Sequence, residues 1–321
     1  MPADVDEHAA VCCAKGADVM LTSGARPAVT AVEAWMRALR LHHWSKNLLL
    51  FVPLVVGHAY QSPQNIALAG AGFVILCLLS SATYLVNDLA DLEADRRHPT
   101  RRRRPFASGD LPVIAGLAAA PLMIVAALAA AFALSPAFAV ALFAYLALTC
   151  MYSFALKRVA LIDAMTIATL FTLRIVMGIV LLRLDPSPWL LSFSEFFFFS
   201  LALAKRHGEV MRAVKDGEEG ISGRGYRGDD WPLTLTFGVG AGLASIVIML
   251  LYLANDAAPV GFYRHPLWLD AVPFAVVIWL QRVWLLAHRR ELHDDPIVFA
   301  LRDAQSLALG AVAAIAFVLA L

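Results

Sequence analysis

Residues 87–95, Asn-Asp-Leu-Ala-Asp-Leu-Glu-Ala-Asp, concentrate more ligand chemistry than any other stretch of this chain. On a continuous helix turning about 100° per residue, Asp88, Asp91 and Asp95 fall within roughly 60° of one another. Asn87 extends that arc to about 100°, while Glu93 points to the other side. Three carboxylates on one face repel each other unless a cation sits between them. Hard oxygens in this spacing suit Mg²⁺ and, through it, a phosphorylated substrate. Asp88, Asp91 and Asp95 are therefore the expected metal ligands, with Asn87 bonding a leaving group. Tyr84, one turn earlier, lies on the same arc and carries the polar face along the helix. Downstream, His98-Pro99-Thr100-Arg101-Arg102-Arg103-Arg104-Pro105 sets guanidiniums on a loop that its prolines hold extended. An anion bridging a carboxylate-bound metal and Arg102 or Arg104 would satisfy both partners. The competing readings are a helix end whose acids meet water and an arginine run resting on anionic lipid.

Two further stations are basic. Tyr152-Ser153-Phe154-Ala155-Leu156-Lys157-Arg158 stands before Asp163 at a tight turn between apolar stretches. Lys157 is a candidate phosphate ligand, and Asp163 a partner for sugar hydroxyls or for Lys157. The plainer reading has Tyr152 and Lys157 anchoring helix ends at the interface. Eleven residues make three helical turns, so Arg174 shares the Asp163 face about 16 Å deeper. An arginine at that depth normally faces a bundle interior or a wet cavity and is a functional candidate. A structural pair between Arg174 and Glu195, which lies at a similar depth, competes with a substrate contact. The third station is Lys205-Arg206-His207-Gly208-Glu209, where Lys205 and Arg206 are phosphate candidates. Lys46, in Trp44-Ser45-Lys46-Asn47, is placed to reach the same mouth. The glycine-rich, mixed-charge loop after residue 209 is expected to be mobile and able to close over it. His293-Asp294-Asp295-Pro296 is most simply a helix cap.

The elements that must position these stations are membrane helices. Hydrophobic residues make up 60% of the 321 and charged residues only 16%, where a soluble domain carries about 25%. Mean hydropathy is +0.69. Apolar stretches near the bilayer length of about 20 residues recur at 46–62, 66–86, 112–133, 137–156, 160–182, 189–204, 232–254, 267–287 and 304–321. The prediction is an all-α integral membrane protein, nine transmembrane helices around a central cavity open to the cytoplasmic side. The connections divide sharply by charge. One set carries Arg96, Arg97, Arg101–Arg104, Lys157, Arg158, Lys205, Arg206, Arg212, Lys215, Arg224, Arg227, Arg289 and Arg290, against Arg183 and Arg264 in the other. The positive-inside rule then puts the amino terminus and all three stations in the cytoplasm of a multi-pass inner-membrane protein. Residues 1–32 are expected to be a flexible tail before one domain, 33–321. With Asp4, Asp6 and Glu7 and no basic-then-apolar order, the tail does not read as a signal peptide. Cys12, Cys13, Cys77 and Cys150 show neither metal-ligand spacing nor a disulfide framework. The net charge of +1 points to no global partner, and no nucleic acid is expected.

With these stations in place, the chain resembles the UbiA superfamily of intramembrane prenyltransferases across nearly all of residues 35–321. Asn87-Asp88-x-x-Asp91-x-x-x-Asp95 matches the first Asp-rich signature of that family. Within it, Trp44-x-Lys46-Asn47, His98-Pro99-Thr100-Arg101-Arg102-x-Arg104-Pro105, Tyr152-Ser153-Phe154-x-Leu156-Lys157 and Lys205-Arg206 resemble the decaprenyl-phosphate phosphoribosyltransferase branch. The resemblance implies nine helices around a capped cavity, and Mg²⁺ as cofactor. It also implies transfer of 5-phosphoribosyl from phosphoribosyl pyrophosphate to a polyprenyl phosphate, toward a lipid-linked arabinofuranosyl donor for glycan or nodulation-signal arabinosylation. Leu41, His207 and Glu195 depart from the branch pattern. The alternative is prenyl transfer from a polyprenyl diphosphate to an aromatic acceptor, which in this superfamily commonly uses two acidic stations. One strong acidic station and three basic ones favour phosphoribosyl transfer. A non-catalytic transporter or lipid-binding protein is the remaining reading, disfavoured because no second half mirrors residues 87–95.

Overall fold

Three of the long helices open on the same two-residue signal. Ser62-Pro63, Ser135-Pro136 and Ser187-Pro188 each place a serine whose Oγ accepts from the backbone N–H three residues on. The proline then occupies the first turn, where no intrahelical N–H is required. Gly217, at φ 72°, ends the third of these helices in the left-handed region.

The computed structural model describes residues 30–98, 100–221, 223–257, 261–292 and 295–321. The tail through residue 29 with its cysteine pair, Pro99 of the arginine loop, and His293 and Asp294 of the cap lie outside the described residues. The α-helices are α1 (Ala31–Ala38), α2 (Val52–Val56), α3 (Pro63–Ala90), α4 (Leu92–Arg97), α5 (Pro105–Ser108), α6 (Val113–Leu134), α7 (Pro136–Phe154), α8 (Ile162–Leu182), α9 (Pro188–Asp216), α10 (Trp231–Tyr252), α11 (Ala271–His288), α12 (Pro296–Ala300) and α13 (Ala304–Ala320). Among the described residues, β structure is limited to one isolated bridge, Gly220 to Arg227.

Six stretches are long and apolar enough to cross a membrane: Pro63–Ala90, Val113–Leu134, Pro136–Phe154, Ile162–Leu182, Gly228–Ala257 and Pro266–His288. They correspond to six of the nine expected spans. The expected first span is instead a 3-10 run over Leu41–Phe51 followed by the single turn of α2. Its polar residues explain the difference, because they tie it sideways to α3: Trp44 Nε1 donates to Ser81 Oγ (3.1 Å) and Asn47 Nδ2 to Ser80 Oγ (3.4 Å). The expected sixth span is the front of α9, a 29-residue helix whose second half is charged. The last is the shorter apolar helix α13.

α8 is the central post. Within its most apolar window 67% of residues are buried, against 17% for α6 and for α7, which leaves those two as the outward-facing wall. One face of α8 packs with α9, α10 and α11, and the other with α2, α3, α6 and α7. Gly178 allows the 3-10 run to lie directly against α8, since a Cβ there would collide with the Leu50 carbonyl. That close approach delivers Asn47 to Arg174, one turn away on the same helix. The long helices alternate in direction, so the ends of α3, α7 and α9 and the starts of α8 and α12 gather at one end of the bundle.

Candidate functional site

A cavity of about 230 Å³ opens at that end, and its wall includes Lys46, Asn87, Tyr152, Arg174, Lys205 and Asp295. Five of these six are expected site residues, drawn from five separate elements of the chain. Arg174 is held by three oxygens: Nε donates to Asn47 Oδ1 (3.0 Å), Nη2 to the Tyr145 hydroxyl (2.7 Å) and Nη1 to the Leu170 carbonyl (2.5 Å). Its guanidinium also lies over the Tyr145 and Phe171 rings. Glu195 instead accepts from Thr169 Oγ1 (2.8 Å), so the alternative Arg174–Glu195 pair does not form. Asn47, pressed against α8 by the packing at Gly178, takes that place. Among the described residues no carboxylate pairs with Arg174, and its positive charge is left facing the cavity.

The acidic cluster divides into two parts. α3 ends at Ala90 and α4 starts at Leu92, with Asp91 at the junction (φ −92°, ψ 8°). Backbone bonds from Asp91 N to Asn87 O and from Asp95 N to Asp91 O carry the helical register across it. Asp88 is 2% exposed and Asp95 1%. Arg40 Nη2 reaches Asp88 Oδ1 at 2.6 Å, and Arg104 Nη1 bridges Asp88 Oδ1 (3.1 Å) and Asp95 Oδ2 (2.6 Å). Arg104 thus contacts the acids directly and supplies the counter-charge that they demand. Asp91 is half-buried, and no described side chain pairs with it. Arg102 is exposed on the short 3-10 turn Arg101–Arg103, away from the cavity wall.

The second and third stations merge into one network. Asp163, fully buried, accepts from Arg206 Nε (2.5 Å) on Oδ2, and from Arg224 Nη1 (2.7 Å) and the Tyr152 hydroxyl (2.9 Å) on Oδ1. Arg206, 2% exposed, gives its Nη1 to Glu209 (2.5 Å). Asp163 thus orients arginines rather than Lys157, and Arg206 is committed to protein carboxylates. Lys157 is half-buried on the turn Leu156–Arg158 with no described ion pair. The loop expected to be mobile is docked: besides Arg224, the Tyr226 hydroxyl accepts from Leu161 N (3.0 Å). Burial pushes that phenol up to about 12, so it remains protonated.

Asp295 is the residue that sequence reasoning treated only as a cap. It does cap α12, its Oδ1 accepting from Ile297 N (3.1 Å). Its Oδ2 faces Lys46 Nζ (2.8 Å) and Lys205 Nζ (3.8 Å). Burial alone would raise its carboxyl, but the two ammoniums outweigh that and hold it below the usual carboxylate range. Arg40 was also missed; nothing in its local pattern distinguishes it, and it reaches Asp88 from a left-handed backbone conformation at φ 51°.

The sequence implies Mg²⁺, and the donors present can be tested against it. Among the described residues no three His, Cys, Asp or Glu side chains converge closely enough to hold a metal alone. Mg²⁺ needs only one or two carboxylates when water and phosphate oxygens complete its shell. Asp95 Oδ1 is buried without a hydrogen-bond partner. Together with unpaired Asp91 one turn away, and Asn87 in the cavity wall, it fits that requirement. Asp88 shares one oxygen, Oδ1, between Arg40 and Arg104, and this double clamp makes it the less available donor of the three.

An apolar groove of about 490 Å³ runs from this cavity between the 3-10 run, α11 and α13, and shares Lys46, Phe198, Leu201 and Ile297 with it. A headgroup in the cavity can therefore keep its tail in a nonpolar channel.

Known proteins share this sequence and fold. The protein y4nM of Sinorhizobium fredii is 53% identical over 90% of this chain and 56% of its own length. Nodulation protein NoeC of Azorhizobium caulinodans is 31% identical over 85% and 88%. Decaprenyl-phosphate phosphoribosyltransferase of Mycolicibacterium smegmatis is 34% identical over 60% and 62%. The match thus spans less than two thirds of the length of the first and third of these relatives. The structure of a UbiA homolog from Archaeoglobus fulgidus bound to GPP and Mg²⁺ aligns with a TM-score of 0.63 at 15% identity, over 89% of this chain and 98% of the other. Residues 49–319 match the UbiA prenyltransferase family, and the chain belongs to that family.

Proposed function

We propose that residues 33–321 form a Mg²⁺-dependent intramembrane transferase that moves 5-phosphoribosyl from phosphoribosyl pyrophosphate to a polyprenyl phosphate. The observation that carries this reading is the excess of cations over acids around the cavity. Arg174, Lys46 and Lys205 stand in or against its wall with Asp295 as the acid between the two lysines, while Asp163, the candidate second acid, has both oxygens committed to Arg206, Arg224 and Tyr152. Prenyl transfer from a diphosphate would call on two acidic stations. A sugar donor with a 5′-phosphate meeting a lipid phosphate calls on one acidic station and several cations, held where charge must be neutralised.

In the reaction, an oxygen of the polyprenyl phosphate attacks the anomeric carbon of the ribose. A carbon–oxygen bond to the lipid phosphate forms as the bond to pyrophosphate breaks, and pyrophosphate leaves with the electron pair. The attacking oxygen is already anionic, so no general base is required. Asp91 and Asp95 would hold Mg²⁺, assisted by Asn87. When bound, the metal neutralises charge on the departing pyrophosphate. Lys46, Lys205 and Arg174 would bind and orient the two substrate phosphates, while Arg102 and Lys157 would form an outer basic rim and Arg104 would hold Asp88 and Asp95 in place. The apolar groove would take the polyprenyl tail from the bilayer. An inner-membrane location with the site facing the cytoplasm, where the sugar donor is available, belongs to the same reading. So does a lipid-linked pentose as precursor for arabinosylation; the similarity to the mycolicibacterial decaprenyl-phosphate phosphoribosyltransferase supports the pentose-lipid product.

The test is purified protein given labelled phosphoribosyl pyrophosphate and a polyprenyl phosphate with Mg²⁺. A labelled lipid is the expected product. Its absence, with turnover of a prenyl diphosphate and an aromatic acid, would overturn the reading in favour of prenyl transfer. Tight binding of the donor without any product would leave a binding protein.

A further inference from the structure

Lys46 and Lys205 approach from the 3-10 run and from α9, and both ammoniums point at one oxygen, Asp295 Oδ2. The other oxygen of that carboxylate is tied to the backbone at Ile297. The cluster lies where the polar cavity meets the apolar groove, since Lys46 and Ile297 line both. A phosphate carrying an alkyl chain in the groove would have its oxygens at this lysine pair. A carboxylate already sits there.

Resting on the transfer reading above, we propose that Asp295 is a built-in stand-in for the lipid phosphate, occupying the lysine pair until the substrate displaces it and thereby setting the headgroup charge the site accepts. Two lysines balance a phosphate dianion of charge about −1.5 to −2. With Asp295 still in contact, the same cations face about one negative charge too many, so the carboxylate must give way. A diphosphate adds more negative charge beside the same aspartate and is disfavoured further. Discrimination of this kind comes from a repulsive group as much as from attractive ones. Asp295 is thus a specificity-determining residue that acts through Lys46 and Lys205 and need not touch the reacting atoms.

The experiment compares the full-length wild type with Asp295→Asn, whose amide oxygen can still cap Ile297. Equilibrium binding of a polyprenyl monophosphate and of the matching diphosphate is measured, together with KM and kcat for the monophosphate. The expected result is monophosphate binding tightened by about tenfold, the scale of one competing charge-assisted hydrogen bond removed. Diphosphate binding tightens by more, KM falls with monophosphate Kd, and kcat stays within about twofold. A residue that merely braced the lysines would weaken both lipids on substitution. That outcome, or unchanged affinity, overturns the proposal. Asp295→Ser, which also keeps a side-chain oxygen for Ile297 N, gives the same reading should the asparagine variant fold poorly. If the wild type makes no phosphoribosyl lipid, the functional reading fails on its own, and the two binding constants still decide the role of Asp295.

Discussion

Two acid–arginine knots sit at the same end of the bundle, and they are built alike but finished differently. Around Asp163, every carboxylate oxygen is used: Arg206 on one, Arg224 and Tyr152 on the other. Around Asp88 and Asp95, Arg40 and Arg104 satisfy three of the contacts, yet Asp95 Oδ1 is buried without a partner and Asp91 is unpaired. Burying ion pairs is expensive unless all their hydrogen bonds are made. The first knot meets that condition and braces the join of α8, α9 and the loop at 224. The second leaves oxygen ligands free one and two turns beyond Asn87 of the cavity wall, which is what a site waiting for a cation and a phosphate needs. The number of acids in a motif is therefore not the number of ligands it offers.

The sharpest way to break this comparison is to neutralise one acid from each class. Asp91→Asn should abolish labelled-lipid formation by at least about 10²-fold, the scale of losing one group that stabilises transition-state charge. Its thermal unfolding in detergent should match the wild type, since no ion pair is lost. Asp163→Asn should do the reverse. It leaves buried Arg206 with Glu209 alone and Arg224 with the Tyr152 hydroxyl, and breaking a buried pair costs about 3–5 kcal/mol, so the unfolding temperature should drop steeply. Equal stability losses in the two variants would show that the knots do not differ in kind. Between them stands Asp88→Asn. An acid that orients Arg40 and Arg104 should reduce turnover about ten- to a hundredfold, as supporting groups around a ligand do, and should also lower stability. A loss as deep as that of Asp91→Asn would return Asp88 to the metal.

The helical membrane fold was legible because apolar length is a local signal, and six of the expected spans follow it. The first expected span is not one continuous α-helix, and the ties of Trp44 and Asn47 to the serines of α3 act across more than 30 positions of sequence, which hydropathy does not register. Much of the site was legible too: Lys46, Asn87, Tyr152, Arg174 and Lys205 do share one wall. Pairing was not legible. Helical periodicity put Asp88, Asp91 and Asp95 on one arc, but which of them meets an arginine depends on where Arg40 and Arg104 arrive. Asp295 was hidden for a related reason. An Asp before Pro has an adequate local explanation as a cap, and only the fold shows that its second oxygen faces two lysines.

The smallest expected effect concerns that last pair and distinguishes it from both knots. Lys46 and Lys205 hold the Asp295 carboxyl below its usual range despite burial. A group whose folded value is depressed contributes stability above its unfolded value, about 3.9 for Asp, and loses it as pH falls through the lower folded value. The difference in unfolding temperature between wild type and Lys46→Met should therefore be flat from about pH 5 to pH 8 and shrink only in stronger acid, below about pH 4. A difference that faded between about pH 6 and pH 8 would instead mean that a lysine gives up its proton there. The pair would then be no stand-in for a phosphate at neutral pH, because the cations that must receive the phosphate would already be partly discharged. A flat profile means that the Lys46–Asp295 pair holds throughout that range, so that displacement of Asp295 decides whether the station is open.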